Sequence, residues 1–443
     1  MSVHSKEWSR DSWKSMPIHE QGIAYPDMAH LNHVLQRLAE LPPLVSPASI
    51  ESAREQHAAA ARGEAFLLVG GDCAESFDDI KTDIISQKVS LLANQANHIE
   101  AVTGLPVHVT GRMAGQYSKP RSQLIETLAD GRRVSAFRGH NINGPDIADR
   151  EPDPQRLLPG YWHSVAIMHV LSTAEKVHTA HEALHLPMEA ALTKDRSNTS
   201  ATFLWVGERT RQLDGAHLEY VRGLRNPIGV KIGPSTSPAD LLNTLGRLCY
   251  DREGEEGRVT IITRFGAEKV GAVLPALVEA VRASPFRPVW MCDPCHGNGF
   301  TKSGVKTRKT TTLLSEVAQT IRILDRFGAH LGGLHLEQTG EEVTECVGPE
   351  SLVSDDLGKH YTSLCDPRLS GTQAMWLVER VAEIVVESRD SRNELEQGNH
   401  GMSLSQNTLI FHQISTFFVS WIQMAKSLWR ISIDKCSFKS KGV

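Results

Sequence analysis

Several features that mark whole classes of protein are missing from this chain. Its formal net charge is −5, whereas nucleic-acid-binding proteins are usually basic, so we expect no nucleic-acid partner. The first residues contain no apolar segment of the kind that directs secretion. Glu7 and Asp11 interrupt the basic pattern that a transit peptide would need. We therefore expect a cytoplasmic protein.

The seven cysteines also lack the regular spacing of a disulfide framework, since they are scattered from Cys73 to Cys436. Without an export signal, reduced thiols are expected. Cys292, Cys295 and His296 form the pattern C-x-x-C-H, which can mark a covalent haem, a zinc site or a redox dithiol. Covalent haem is attached outside the cytosol and no second haem ligand is marked. The role of His296 therefore has to be found in the rest of the chain.

What the sequence does contain is a recurrence of short apolar runs, each ending in polar or charged residues. There are eight of them, at residues 65–73, 106–113, 175–183, 202–210, 227–234, 258–266, 288–297 and 331–340. Stretches with helical periodicity separate most of the runs, which indicates parallel βαβ units. Eight such units match a (β/α)8 TIM barrel. An open doubly wound sheet is the alternative, but no G-x-G-x-x-G motif follows the first run.

Three parts of the chain fall outside this repeat. Residues 1–62 predict an N-terminal helical extension, and residues 63–393 the catalytic barrel. Within the barrel, residues 114–174 are too long for a simple crossover and predict an insertion between strands 2 and 3. Residues 394–443 form an atypical C-terminal tail. Polar residues interrupt its apolar positions, so we expect no membrane-spanning helix and no membrane partner.

The ends of all eight predicted strands carry ionisable residues. In a TIM barrel these ends meet at one mouth, where the active site lies. One charged strand end is usually a solvated loop residue, but eight in phase are hard to explain that way. In chain order the ends are Asp72–Cys73, Arg112, His181–Glu182, Glu208–Arg209, Lys231, Arg264, Asp293 with His296, and His335 with Glu337.

Cations form the first group of residues at the predicted mouth. Arg112, Arg209, Lys231 and Arg264 converge from four strands, and further arginines and lysines lie close to them in sequence. A guanidinium fork matches the geometry of phosphate and carboxylate groups. Several such cations around one pocket imply a small ligand with more than one negative charge.

The second group consists of metal-ligand types. Its members are Cys73, His296, Glu337 and Asp366. One thiolate, one imidazole and two carboxylates suit a borderline divalent metal, and Mn²⁺, Fe²⁺, Co²⁺ or Zn²⁺ could occupy such a site. A buried cysteine is more often a small apolar residue, so the spacing alone leaves both interpretations open.

Seven long motifs follow one another in uninterrupted order over most of the chain. They are GGDCAES, GRMAGQYSKPRS, HEAL, WVGERTRQLDGAHLEYVRGLRNPIGVKIGP, CDPCHGN, GLHLEQTGEEVTECVG and CDPRLS. These motifs resemble those of the type II 3-deoxy-D-arabino-heptulosonate 7-phosphate (DAHP) synthases. The resemblance implies a (β/α)8 barrel that condenses phosphoenolpyruvate with erythrose 4-phosphate and releases phosphate. This reaction is the first step of the shikimate pathway, which leads to chorismate and the aromatic amino acids.

The resemblance also implies roles for individual residues. The family's metal ligands, which we expect to hold Mn²⁺, fall on Cys73, His296, Glu337 and Asp366. Its phosphoenolpyruvate site falls on Arg112, Glu208, Arg209, Lys231 and Arg264. Its erythrose 4-phosphate loop falls on Lys119, Arg121 and Ser122. We expect Lys119, Glu208 and Lys231 to be catalytic. His296 is then a metal ligand, and Cys295 merely precedes it.

Three residues depart from the usual pattern of that family. Cys295 replaces a methionine, Gly299 a threonine and His140 a common aspartate. A paralogue that condenses phosphoenolpyruvate with a different aldehyde phosphate therefore stays open. An inactive regulatory homologue also stays open, although the intact cations and ligands argue against it. We expect a homo-oligomer, because exposed apolar faces on additions to a barrel favour assembly.

Overall fold

The eight apolar runs form the strands of a closed parallel barrel. The structure is a computed structural model that describes residues 7–128, 130–172, 177–249, 255–348 and 356–401, of which 392–401 by their backbone alone. The barrel strands are β1 (Phe66–Gly71), β2 (Val107–Arg112), β3 (His178–Glu182), β4 (Phe203–Val206), β5 (Ile228–Ile232), β6 (Val259–Thr263), β7 (Val289–Cys292) and β8 (Gly333–Glu337). Neighbours in the chain are neighbours in the sheet, and β8 closes onto β1. The prediction of a TIM barrel is confirmed.

Helices alternate with these strands. Two of them, α1 (Met28–Glu40) and α2 (Pro47–Ala61), precede β1. The helices that follow β1 to β8 in turn are α3 (Thr82–Thr103), α4 (Leu157–Ser172), α5 (Leu186–Ala191), α6 (Ala216–Arg222), α7 (Pro238–Leu248), α8 (Val270–Arg282), α9 (Thr310–Arg326) and α10 (Gly371–Gly401). In the part of the chain that the structure describes, no helix is both long enough and apolar enough to cross a membrane.

Local sequence explains where these helices begin and end. The α7 helix begins after Ser237, whose side chain accepts the N–H of Asp240 while Asp240 accepts the N–H of Ser237. This reciprocal capping box and Pro238 in the first turn satisfy N–H groups that the helix itself leaves free. The α3 helix ends at Gly104, which has a left-handed backbone with φ 69°. Glycine adopts that conformation without steric cost.

The long segment between β2 and β3 contains structure of its own. A small hairpin pairs Ile125–Thr127 with Arg133–Ser135, and short 3₁₀ turns lead from it into α4. The domain boundaries predicted for the extension, the insertion and the tail stay predictions. The barrel belongs to one compact unit, Met1–Val386. A second unit begins within α10 at Glu387, and the predicted tail lies outside the described residues from position 402 onward.

Alternation along the strands divides the core into two layers. One buried cluster lies inside the barrel and is formed by Leu67, Val69, Ala180, Phe203, Trp205, Ile262, Val289 and Met291. Residues next to these in the strands, such as Leu68 and Leu204, belong to a larger cluster with the surrounding helices. At the N-terminal end of the barrel, Ala60 of α2 joins the inner cluster, and His57 Nδ1 lies 3.0 Å from Thr260 Oγ1. The inner layer is therefore packed from α2 up to Trp205.

Strand register sets the level of the residues at the opposite end. Gly71 of β1 pairs with Arg112 of β2 on one side and with Glu337 of β8 on the other. Cys73 follows two residues later. A thiol, a guanidinium and a carboxylate from three strands thereby reach the same level of the barrel.

Candidate active site

A cavity of about 620 Å³ opens at the C-terminal ends of the strands. All twelve residues predicted from the sequence line it, namely Cys73, Arg112, Lys119, Arg121, Ser122, Glu208, Arg209, Lys231, Arg264, His296, Glu337 and Asp366. They come from seven barrel strands or the loops after them, and from the loop before α10. Residues up to 293 positions apart in sequence therefore share one cavity.

Three of these residues group their donor atoms on one side of the cavity, and His296 lies next to one of them. Cys73, Glu337 and Asp366 each present one ligand atom, and these atoms lie within 4.8 Å of one another. The Nε2 atom of His296 lies 3.3 Å from Oε1 of Glu337. Cys73 and Glu337 are fully buried, and Asp366 is largely buried. We call Cys73, His296, Glu337 and Asp366 the donor cluster.

The ammonium group of Lys119 lies among these donors. Its Nζ atom is 2.8 Å from Oδ2 of Asp366 and 3.7 Å from Oε1 of Glu337, and it contacts Sγ of Cys73. Burial alone would lower the pKa of Lys119, but Asp366, Cys73 and Glu337 raise it well above its usual value. The donor cluster therefore already surrounds a positive charge. Its chemistry also fits a borderline divalent metal, because it combines a soft thiolate, an imidazole and hard carboxylates.

Asp293 orients the imidazole of this cluster. Its Oδ2 atom lies 2.8 Å from Nδ1 of His296 and 2.7 Å from Nζ of Lys231. This contact leaves Nε2 of His296 facing Glu337, an arrangement typical of metal-binding histidines. Burial lowers the pKa of His296 to about 4. The ring is therefore neutral near pH 7, as a metal ligand must be.

Two cations sit against an aromatic ring at the base of the cavity. The guanidinium carbon of Arg112 lies 5.2 Å from the centre of the Trp205 ring, and Nζ of Lys231 lies 5.5 Å from it. Both distances are in the range of cation–π attraction. Arg112 also approaches Glu337, with 3.2 Å between Nη2 and Oε1. Burial lowers the pKa of Lys231, although Asp293 opposes this shift.

The remaining charged residues of the predicted substrate sites form few hydrogen bonds or ion pairs with other side chains. Nη2 of Arg209 donates to Oγ of Ser122 over 2.7 Å. Within the described residues, the Arg264 side chain makes no hydrogen bond or ion pair. Glu208 instead pairs with Arg211, 3.0 Å away, and Arg121 pairs with Glu126 at 3.3 Å. The guanidinium groups of Arg209 and Arg264 are thus free to donate to an anionic ligand.

Four ionisable residues expected at the mouth do not line the cavity, and one of them is Asp293, which lies behind His296 and Lys231. Asp72 is buried outside the cavity, where it pairs with Lys88 and Arg368. His181 lies 2.9 Å from Glu189 and does not line the cavity. His335 is fully buried in the barrel interior beneath the cavity, beside Arg112 and Asp293. Side chains alternate between the two faces of a strand, which explains why Asp72 and His181 point away from the cavity. The residues adjacent to them, Cys73 and Glu182, line it instead.

The sequence analysis placed Glu182 at the mouth without giving it a role, and it missed an aromatic ring. Glu182 lines the cavity, and its buried Oε1 atom has no hydrogen-bond partner among the described residues. Burial raises its pKa. Trp205 lies within an apolar run and looks like any core residue. Alternation counted from Phe203 could have placed its ring inside the barrel.

Cys295, Gly299 and His140, which depart from the family pattern, fall in different places. Cys295 and Gly299 line the cavity. Sγ of Cys295 accepts the backbone N–H of Glu337 over 3.3 Å. His140 does not line the cavity, and its ring stacks on Phe77 with 4.7 Å between centroids.

Comparison with known proteins identifies the family of the chain. The model of the class-II DAHP synthetase family matches residues 8–177 and 170–382. The chain belongs to this family.

This chain aligns with nearly the whole length of three curated relatives. A phospho-2-dehydro-3-deoxyheptonate aldolase of Neurospora crassa is 41% identical over 88% of this chain and 96% of its own. One of Streptomyces coelicolor is 38% identical over 84% of this chain and 96% of its own. The protein AroG of Mycolicibacterium smegmatis, with the same enzyme name, is 35% identical over 85% of this chain and 94% of its own.

Proposed function

We propose that the protein is a metal-dependent 3-deoxy-7-phosphoheptulonate synthase of the shikimate pathway. It would condense phosphoenolpyruvate with erythrose 4-phosphate to give DAHP and phosphate. The observation that carries this proposal is the meeting of two groups in one cavity. The donor cluster fits a divalent cation, and the neighbouring cations fit two phosphorylated substrates.

Cys73, His296, Glu337 and Asp366 would hold the metal. Mn²⁺ is our first choice, with Co²⁺, Fe²⁺ and Zn²⁺ as alternatives, because the donor set does not separate them. When bound, such an ion supplies Lewis-acid polarisation of an aldehyde oxygen. The side-chain contacts of Asp293 support the ligand role of His296, since they fix the ring with Nε2 towards Glu337.

Phosphoenolpyruvate would lie over Trp205, held by the surrounding cations. Arg209, Lys231 and Arg264 would bind its phosphate and carboxylate groups, and Arg112 would contribute from β2. The free donors of Arg209 and Arg264 support this assignment. Holding both anionic groups fixes the enol carbon for attack, which contributes orientation as well as charge stabilisation.

Erythrose 4-phosphate would bind at the loop after β2, with its phosphate on Arg121 and Ser122. The C3 carbon of phosphoenolpyruvate attacks the aldehyde carbon, and the aldehyde oxygen takes up a proton. Water then adds to C2, and the resulting hemiketal phosphate loses phosphate by C–O cleavage. Lys119 or Lys231 would supply the proton, and Glu208 would orient the water. Although burial opposes it, the acidic neighbours of Lys119 hold its pKa well above the usual value, which keeps the amine protonated but makes it a weak acid. Burial lowers the pKa of Lys231, which favours Lys231 as the proton donor.

The first test is release of phosphate from phosphoenolpyruvate by the purified chain. Chelated protein should release none, and release should need both erythrose 4-phosphate and added Mn²⁺. Release without the aldehyde would contradict the condensation. Release that survives exhaustive chelation would contradict the metal role.

A paralogue with another aldehyde phosphate as substrate is the second candidate. Cys295 and Gly299 support it, because both line the cavity and depart from the family pattern. A panel of aldose phosphates in the same assay separates the two candidates. An inactive homologue is less well supported, since every predicted cation and ligand is present and faces the cavity. A cytoplasmic homo-oligomer is also part of the proposal, and light scattering of the purified chain tests the assembly.

A further inference from the structure

Asp366 differs from the other members of the donor cluster in how the fold delivers it. Cys73, His296 and Glu337 each lie at or just after the end of a barrel strand. Asp366 lies in the loop between β8 and α10, within residues 362–368, which we call the Asp366 segment. This segment belongs to no barrel strand, so contacts of its side chains and of the adjoining backbone have to place it.

Arg368 makes the densest set of such contacts. Its Nη1 atom lies 2.7 Å from Oδ1 of Asp72, and its Nη2 atom lies 2.8 Å from Oε1 of Glu345. Nη2 also donates to Oγ1 of Thr362 over 2.6 Å, which ties the beginning of the segment to its end. Arg368, Asp72 and Glu345 are all at most 3% exposed. A buried, fork-shaped arrangement of this kind has a defined geometry.

Asp72, the partner of Arg368 that directly follows β1, stands beside a donor. Asp72 precedes Cys73, and the two side chains point to opposite faces, since only Cys73 lines the cavity. Arg112 fixes the backbone between them, with Nε donating to the carbonyl of Asp72 over 3.1 Å. The Arg368–Asp72 pair therefore joins the residue before one proposed ligand to a residue just after another.

Backbone contacts continue the connection to β8. The N–H of Leu369 donates to the carbonyl of Glu337 over 3.0 Å. Arg308 donates to the carbonyl of Pro367, the residue after Asp366, and lies 2.5 Å from Oε2 of Glu337. The Asp366 segment is thus held to both β1 and β8. Because Arg308 contacts Glu337 itself, its substitution would disturb a proposed ligand directly, and Arg368 gives the cleaner test.

We propose that the buried Arg368–Asp72 ion pair is the positioning device of the metal centre. It brings Asp366 to Cys73 and Glu337 without touching the metal or the substrates. The inference rests on the proposed function, because it takes the donor cluster to be a metal site. Groups behind metal ligands typically change metal affinity 10- to 100-fold.

The test measures Co²⁺ binding to the full-length, metal-free protein. The variants are Arg368→Met, Arg368→Lys, Asp72→Asn and the double variant Asp72→Asn/Arg368→Met. Competition with a chromophoric chelator gives the dissociation constant, and the near-ultraviolet absorption of a thiolate–Co²⁺ bond reports on Cys73. Thermal unfolding of each metal-free variant is recorded in parallel.

Arg222→Met is the matched control. Arg222 is also a buried arginine, and it pairs with Glu219 at 2.5 and 2.9 Å, but it does not line the cavity. Its loss should lower the unfolding temperature and leave Co²⁺ affinity unchanged. Comparison with it separates positioning from general loss of stability.

We expect Arg368→Met and Asp72→Asn each to weaken Co²⁺ binding at least about tenfold. The double variant should lose less than the two single losses combined, because each single variant already breaks the ion pair that the two residues share. Arg368→Lys, which keeps the charge, should lose less. If Arg368→Met does not fold, Asp72→Asn and Arg368→Lys carry the test.

Two negative results have different meanings. Folded variants that bind Co²⁺ as tightly as the unmodified protein would overturn the positioning role. An unmodified protein that shows neither Co²⁺ binding nor the thiolate band would instead overturn the metal site of the proposed function.

Discussion

Charged side chains are paired differently in two halves of the cavity. The donor half surrounds the donor cluster, and the phosphate half surrounds Arg209 and Arg264. In the donor half, the acids already face cations: Arg308 and Arg112 approach Glu337, and Lys119 and Lys306 approach Asp366. In the phosphate half, Arg264 has no side-chain partner among the described residues, and Arg209 donates only to the hydroxyl of Ser122. The acids of the donor half are thus already paired with cations. In the phosphate half, Arg209 and Arg264 have no acidic partner among the described residues.

This difference separates what each half contributes. A compensated cluster holds a fixed geometry before anything binds, which suits a metal site. Uncompensated guanidinium groups gain their partners only when an anion arrives, so they supply binding energy to the substrates. Substitutions in the two halves should therefore have different signatures.

Loss of a proposed metal ligand should have the largest effect. We expect His296→Ala to lower metal-dependent turnover at least about 100-fold. Substitution of a residue that only supports a ligand already costs up to about 100-fold, and loss of the ligand itself should cost no less. The same is expected of Glu337→Ala, which also leaves Arg308 without its carboxylate partner. Steady-state rates at saturating Mn²⁺ provide the measurement. Substantial activity in a metal-reconstituted variant would disprove the ligand assignment.

A substitution in the phosphate half should leave the metal site intact. We expect Arg264→Met to lower kcat/KM for phosphoenolpyruvate about 10- to 100-fold, since hydrogen bonds to charged groups contribute about 1.5–3 kcal/mol. Its Co²⁺ affinity and its unfolding temperature should match those of the unmodified protein. A parallel fall in metal affinity would show that the two halves are not separate.

Glu316 forms hydrogen bonds near both Arg264 and His296 and should make stability depend on pH. It accepts the N–H of Gly266, which follows Arg264 by two residues, and the side-chain amide of Asn298, two residues after His296. Burial raises its pKa to about 7, although these donors oppose the shift. The folded state therefore holds the proton more tightly than the unfolded state does. The stabilisation is complete below about pH 4.5 and is lost as the pH rises through about 7.

Urea unfolding between pH 5 and 8 measures this contribution, which should not exceed about 3 kcal/mol. Glu316→Gln can still accept the backbone N–H groups but does not titrate, so its stability should fall less over this range. Parallel curves for the two proteins would show that other groups set the pH dependence.

The smallest effect is expected at the hydroxyl that holds Arg209. Ser122→Ala removes one partly exposed hydrogen bond, so kcat/KM for erythrose 4-phosphate should fall by less than about tenfold. Metal affinity should again be unchanged. A loss as large as that of Arg264→Met would contradict this small contribution of Ser122 to phosphate binding.

Much of the site was predictable because barrel geometry turns sequence position into spatial position. The runs ending at Cys73, Arg112 and Glu337 needed only the parallel register to bring these residues level. Asp72 and His181 were placed at the mouth wrongly, because charge at a strand end does not reveal which face the side chain takes. Their neighbours Cys73 and Glu182 occupy the cavity instead.

Other parts of the site had no local signal. Asp366 depends on Arg368 and Arg308, whose partners are up to 296 residues away in sequence. Spacing rules do not reach that far, and the family motif around Asp366 supplied what they could not. Trp205 looked like an ordinary strand residue, because its contact with two cations exists only once the barrel has closed.

The pairing of Gly71 with both Arg112 and Glu337 fixes the register of β1, and this register sets the position of the Cys73 thiol two residues later. Sliding this strand by one residue would exchange its faces, so that Asp72 would enter the cavity and Cys73 would leave it. A deletion of one residue within β1 would therefore take the sulfur out of the donor cluster even where the barrel still forms.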